Sequence, residues 1–279
     1  MSRGRCSLES NGGINVRLER STWPQVEEYF TGHDTVMMLF GSTECHGRHN
    51  PMGTDIFEPL KISELVEAKL PDILMTPIMP FGATNKLVGF PGTLSLGDHL
   101  LGEVVRALTD QLYEYGARHF VFLNGHGGNT KALTEVQLGL SERGCVCALL
   151  DWWRMIRDIK PEWAGGHGGA QETSAMLYID PTLVDRDAVA DDGKMNDLGP
   201  EMPTVGFDTV EFKGVKVTVP RHVRSYGSNG WMGPDHPCEA TAKWGEDMLT
   251  AMASWTVDFL QAFERTPLPA PTSAHGCLR

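Results

Sequence analysis

Thr35-Val-Met-Met-Leu-Phe40 runs directly into Gly41-Ser-Thr-Glu-Cys-His-Gly-Arg-His-Asn-Pro-Met-Gly-Thr-Asp55, and this pair of segments decides how the chain is read. The first six residues are apolar apart from Thr35, a run suited to a strand buried on both faces. Such strands belong to parallel sheets, and open α/β sheets bind ligands beyond the carboxyl ends of their strands. Just past this end come Glu44, His46 and His49, then a turn bearing Pro51 and Gly53, then Asp55 at the start of a helical pattern. On an extended backbone residues two apart point the same way, so Glu44 and His46 can aim at one point. Imidazole nitrogen and carboxylate oxygen suit zinc, manganese or ferrous iron. A polar loop whose histidines only cap or hydrogen-bond is the alternative. Four candidate ligands within twelve residues favour a metal site.

Outward from that strand, the apolar spacing alternates between helix and strand. Residues 21–30 read as a capped helix with Pro24 in its first turn. Residues 56–70, 101–115, 130–143 and 240–263 have helical spacing, and Gly116 and Gly144 stand as C-terminal stops. The runs 73–79, 119–123 and 145–150 read as further strands, the first confined to an edge or a bulge by Pro77. Residues 215–219 are one more candidate strand. The alternation predicts an α/β fold, a three-layer α/β/α sandwich with a mainly parallel central sheet. Residues 180–214 read as an irregular excursion and 229–234 as a loop. No repeat or linker divides 17–265, which reads as one domain between a loose arm at 1–16 and a tail at 266–279.

Composition sets limits. The chain has 279 residues, 41% hydrophobic and 22% charged, enough for a substantial core. A net charge of -12 argues against nucleic acid or an anionic membrane as the main partner. No apolar run approaches the roughly 20 residues that cross a bilayer. Arg3 and Arg5 precede no apolar stretch, so a secretory signal is not expected. Six cysteines show no C-x-x-C spacing, which with the missing signal predicts a reduced, cytoplasmic protein. Neither G-x-G-x-x-G nor G-x-x-x-x-G-K occurs, which counts against a doubly wound sugar or nucleotide binder.

Two further strand-ending segments carry a histidine among glycines: Asn124-Gly-His-Gly-Gly-Asn129 and His167-Gly-Gly-Ala-Gln-Glu-Thr-Ser174. In a parallel sheet such loops emerge on one edge, so their residues can converge. Together with Phe90-Pro-Gly-Thr-Leu-Ser95, these segments resemble the signatures of the creatininase family of metal-dependent amidohydrolases. The first motif is similar to that family's E-x-H-G-x-H-x-P-x-G-T-D, and the resemblance covers roughly residues 17 to 265.

The resemblance implies a homohexamer with two divalent ions per chain, zinc or manganese or ferrous iron, acting on a small molecule. By motif, Glu44, His46, Asp55 and His126 match metal ligands, with Asp55 bridging the ions. The creatinine hydrolase also uses a glutamate two residues past the histidine matching His126; here that place is Gly128. Glu172 is the nearest motif carboxylate and is assigned as a ligand and catalytic group in its stead. His167 matches a proton-shuttling histidine, and His49 is expected behind the ligands. Trp163, four residues before His167, matches a pocket tryptophan. Arg48, two residues from His46, is a candidate clamp for a carboxylate or phosphate, and Thr84 and Gly127 complete the expected substrate-binding set.

Two divalent ions sharing a water lower its pKa and polarise a carbonyl, and a histidine can then protonate the leaving nitrogen. The expected reaction is hydrolysis of a non-peptide C–N bond in a cyclic amide such as creatinine or a related lactam or ureide. Alternatives are deformylation of a pyrimidine intermediate, and metal binding without activity, to which Gly128 is the pointer. Many relatives carry Glu-His where this chain has Lys86-Leu87. Seven tryptophans, some in turn-rich stretches such as Trp163 and Trp231, predict surfaces covered by a neighbouring subunit.

Overall fold

The computed structural model describes residues 17–189 and 195–272, so the expected arm at 1–16 and the end of the tail lie outside it. In chain order the elements are α1 (Trp23–Gly32), β1 (Thr35–Phe40), α2 (Thr54–Glu67), β2 (Leu74–Met75), α3 (Gly97–Tyr115), β3 (His119–Asn124) and α4 (Thr130–Glu142). There follow β4 (Val146–Asp151), α5 (Trp152–Ile159), α6 (Ala170–Ile179), β5 (Thr204–Gly206), β6 (Thr209–Phe212), β7 (Val215–Thr218) and α7 (Ala242–Phe263). The four strands β2-β1-β3-β4 form a parallel sheet in that order.

The sheet is buried on both faces because its strands carry apolar residues at odd and even positions alike. Met37, Leu39, Val121, Leu123 and Leu150 face α2, α5, α6 and α7. Val36, Met38, Phe40, Phe120 and Phe122 face α1, α3 and α4. The layers are therefore α/β/α, as the alternation predicted. The chain leaves β1 over one face through α2, then returns over the other through α3 to place β3 beside β1. Connections diverge at that point, opening a crevice at the carboxyl ends of β1 and β3.

Three local readings are revised. The run 73–79 pairs only at Leu74 and Met75, then at the single bridge Phe40–Met79, because Pro77 has no N–H to give to the ladder. Residues 180–214 are not wholly irregular: β5 and β6 lie there and join β7, the strand expected at 215–219, in a small antiparallel sheet. Its hairpin turns on Lys213 (φ 50°) and Gly214 (φ 79°), and the alternation Thr-Val-Glu-Phe before them and Val-Lys-Val-Thr after them was the available signal. Helix α5, over residues to which no element was assigned above, begins on Trp152 with no capping side chain, and is anchored by Trp152 and Ile156 one turn apart. Trp231, expected to present itself to a neighbour, is only 8% exposed within the chain.

Helices α6 and α7 meet closely at Gly245. A Cβ there would stand 1.9 Å from the Ser174 carbonyl oxygen. Alanine is the better helix former by about 1 kcal/mol, but overpacking against backbone costs about 1–3 kcal/mol. Gly245→Ala is therefore expected to lower the thermal midpoint by several degrees in a melting experiment, and a rise would show that the two helices separate easily.

Candidate metal centre

Two glycines bring the site together. Gly41 and Gly125 are the first residues after β1 and β3, and a Cβ on either would lie 2.7 Å and 2.2 Å from the Asp55 carbonyl oxygen. Their bareness lets the start of α2 lie across both strand ends and sets Asp55 in the crevice. Asn129 fixes the loops around it, donating to the Gly41 carbonyl at 3.0 Å and accepting from the Ala83 amide at 2.9 Å. Asn124 braces the His126 loop and Asp151, donating to the His126 carbonyl and to Asp151 Oδ1, both at 2.8 Å.

Three imidazoles and three carboxylates meet there. His46 Nδ1 lies 3.1 Å from the Glu44 carbonyl, His126 Nε2 lies 3.2 Å from that of Ala83, and His167 Nε2 lies 2.7 Å from that of Cys45. A carbonyl only accepts, so each of those nitrogens carries the hydrogen and the other nitrogen presents a lone pair. His46 Nε2 is 2.8 Å from Asp55 Oδ1 and 3.6 Å from Glu172 Oε2. His126 Nδ1 is 3.0 Å from Asp55 Oδ2 and 3.1 Å from Glu44 Oε1. His167 Nδ1 is 3.6 Å from Glu44 Oε1.

Lone pairs facing carboxylate oxygens at these distances repel unless positive charge lies between them. With only protons to supply it, burial would push His46 and His126 down, yet the charges of Asp55 and Glu172 lift His46 to about 10 and that of Glu44 lifts His126 well above its ordinary value. Asp55, which burial alone would push up, is held below the carboxylate range by His46 and His126. Burial raises Glu44, and raises Glu172 to about 7 against the opposing charge of His46. Glu44 Oε2 is buried without a hydrogen-bond partner. This donor set fits divalent ions. Ligand atoms of Glu44, Asp55 and His126 lie within 4.8 Å of one another, as do those of His46, Asp55 and Glu172.

The other expected residues are distributed more widely. Thr84, Gly127 and His167 line a cavity of about 770 Å³ that opens over the cluster. His49 stands outside the cluster, its Nε2 within 3.0 Å of the Gly168 carbonyl and of Thr173 Oγ1, tying the first motif to the start of α6. Trp163 packs against the core, and it is Trp153 that forms the cavity wall. Arg48 is exposed and forms no part of that wall. Gly128 leaves no room for a ligand: a Cβ would stand 2.1 Å from the Ala83 carbonyl oxygen and 2.4 Å from His126 Nε2. Sequence reading missed Ser42, which donates to Asp55 Oδ2 at 2.8 Å, and Glu58, fully buried one helical turn beyond Asp55. The i, i+3 spacing from Asp55 was the signal for Glu58.

A parallel sheet with a nitrogen-and-carboxylate cluster at its switch point defines the class of metal-dependent hydrolases built on an open α/β fold. The chain belongs to the creatininase family, whose model, described as creatinine amidohydrolase, matches residues 19–260. It is 33% identical over 200 residues to the creatinine amidohydrolase of Pseudomonas putida, covering 63% of this chain and 76% of that one. It is 32% identical over 213 residues to a mycofactocin precursor peptide peptidase of Mycobacterium ulcerans, covering 70% and 75%. A mutant creatininase solved in a zinc–zinc form superposes with a TM-score of 0.69 at 25% identity, over 90% of this chain and 99% of the other.

Two outcomes follow for this cluster. Asp55→Ala should lose most of the bound metal in elemental analysis, because one carboxylate faces both histidines; retention of two ions per chain would remove Asp55 from a bridging role. Glu58 is fully buried, and burial, then the charges of Glu172 and Asp55, push its carboxyl well above the usual range. The unfolded chain ionises this group near the ordinary value of 4.5, so it destabilises the fold increasingly as pH rises past that point. In metal-chelated protein Glu58→Met should raise the thermal midpoint by a few degrees, and by more at pH 8 than at pH 5.

Proposed function

We propose that this protein is a dinuclear metal-dependent amidohydrolase that cleaves the C–N bond of a small cyclic amide, a lactam or a ureide. The observation that carries the reading is the Asp55 carboxylate, with one oxygen turned to His46 and the other to His126. Glu44, Asp55 and His126 would hold one ion; His46, Asp55 and Glu172 would hold the second. Divalent ions in such a site, zinc or manganese by the donor chemistry, lower the pKa of water and polarise a carbonyl.

The chain's own residues do the rest. The hydrogen bond to Cys45 fixes the His167 tautomer, and burial holds the ring well below its ordinary pKa and so neutral. Its Nδ1 lone pair faces the cluster, where it can take a proton and pass it to the leaving nitrogen. Glu172 is held by the Gly168 amide, which donates to Oε2 at 2.6 Å, so its carboxylate stays turned toward His46. Trp153 and Phe207 supply flat apolar walls, Phe207 standing edge-on to His167 with ring centres 5.0 Å apart. Those walls suit a planar ring and exclude water from the bond to be broken.

The test is turnover by zinc- or manganese-loaded protein of creatinine, hydantoin, dihydrouracil, an N-formyl amine and a dipeptide. Cleavage of a cyclic substrate supports the reading; cleavage confined to the formyl compound or to the dipeptide would replace it. His167→Ala should keep its metal while kcat falls about 10²- to 10⁴-fold. Metal loss equal to that of Asp55→Ala would make His167 a ligand instead.

A further inference from the structure

We infer that the outer part of the cavity is a subsite for an oxyanion on the substrate, a carboxylate or a phosphate, recognised by Arg154 and Arg157 on α5. The inference rests on the proposed metal-dependent hydrolysis and adds the chemical class of the substrate's far end.

The geometry begins with α5. Trp152 and Ile156 anchor one side of it in the core, which leaves Trp153, Arg154 and Arg157 to line the cavity. Trp153 is therefore the flat wall and the two guanidinium groups continue it outward. Residues three apart on a helix are neighbours, so Arg154 and Arg157 can engage one anion together. Lys131, on α4, lines the same cavity.

These cations are loosely held by the protein itself. Arg154 Nη1 is 3.5 Å from Asp151 Oδ2, a carboxylate already bound by the Asn124 and Thr130 side chains. Arg157 Nε is 3.9 Å from the exposed Asp158, and Lys131 Nζ is 3.7 Å from Asp98. A guanidinium has five N–H donors in a fork that matches a carboxylate or phosphate, so most of this donor capacity remains for a ligand. Lys86 differs, because its 2.6 Å pair with Asp208 closes it off. A cationic rim on a chain of net charge -12 is a local arrangement against the overall field. Inside, the negative charges of Glu44, Asp55 and Glu172 would be offset by two divalent ions, so an incoming anion meets no net repulsion there.

Size agrees with charge. A cavity of about 770 Å³ is several times the volume of a five-membered cyclic amide, so a small ring at the metals leaves the arginine end vacant. A substrate that fills it bears a chain beyond the scissile bond, ended by the anion.

The probe is a series of hydroxamic acids whose metal-binding head is constant: monohydroxamates of succinic, glutaric, adipic and pimelic acid, their methyl esters, and phosphonate-ended counterparts. Binding to metal-loaded protein is measured by calorimetry. At the matching length the anion-ended compound should bind about fivefold to tenfold more tightly than its ester, with the advantage shrinking as salt rises. In R154Q/R157Q that advantage should vanish, while metal content and ester affinity stay unchanged. A carboxylate preference points to an acid substrate and a phosphonate preference to a phosphate ester. Equal binding of anion and ester at every length, or a preference that survives R154Q/R157Q, overturns the inference with the metal reading intact. Binding by no hydroxamate removes the metal centre and the inference with it.

Discussion

The constraint on which this structure depends is the passage of one helix start across the ends of two strands. The carboxyl ends of β1 and β3 approach the Asp55 backbone so closely that only glycine fits at 41 and 125. That approach puts a single carboxylate between two imidazoles that come from different strands. The buried sheet below supplies the rigidity, since every residue of β1 and β3 is buried. Charged groups so deeply placed would be costly alone, and the chemistry of the cluster fits a container for cations.

Much of the layered architecture was written in the sequence because hydrophobic spacing is local and strong there. The runs at 35–40 and 119–123 are wholly apolar or nearly so, and glycine marks the ends of α3 and α4. Boundaries failed where tertiary contacts outweighed local signals. Pro77 shortened β2 by removing a donor, and α5 starts without a cap because Trp152 is seated in the core. The cluster's six side chains lie in sequence motifs, so their identity was legible. Their tautomers were not, since these depend on the carbonyls of Glu44, Ala83 and Cys45. Nor could spacing distinguish Trp153 from Trp163 as the cavity wall, because that depends on which way a short helix turns.

Gly128 shows how a missing residue type can mislead. From the sequence it reads as a ligand deleted from the site. In the structure the Ala83 carbonyl fills the space a side chain would need, while Glu172 brings its carboxylate to His46 from α6. Three carboxylates face the histidines with no side chain at 128, and one of them, Glu172, is delivered from α6.

Among the parts that line the cavity beyond the metal-facing groups are two segments, α5 and the hairpin excursion that carries Phe207. Neither contributes a metal-facing side chain, and neither contains Gly41 or Gly125. Inheritance can therefore act on them separately: substitutions in residues 152–159 or 204–218 would change what the enzyme accepts without disturbing how it breaks the bond. A fold divided in this way lets one hydrolytic centre be reassigned among substrates in descent, its chemistry retained while its clientele changes.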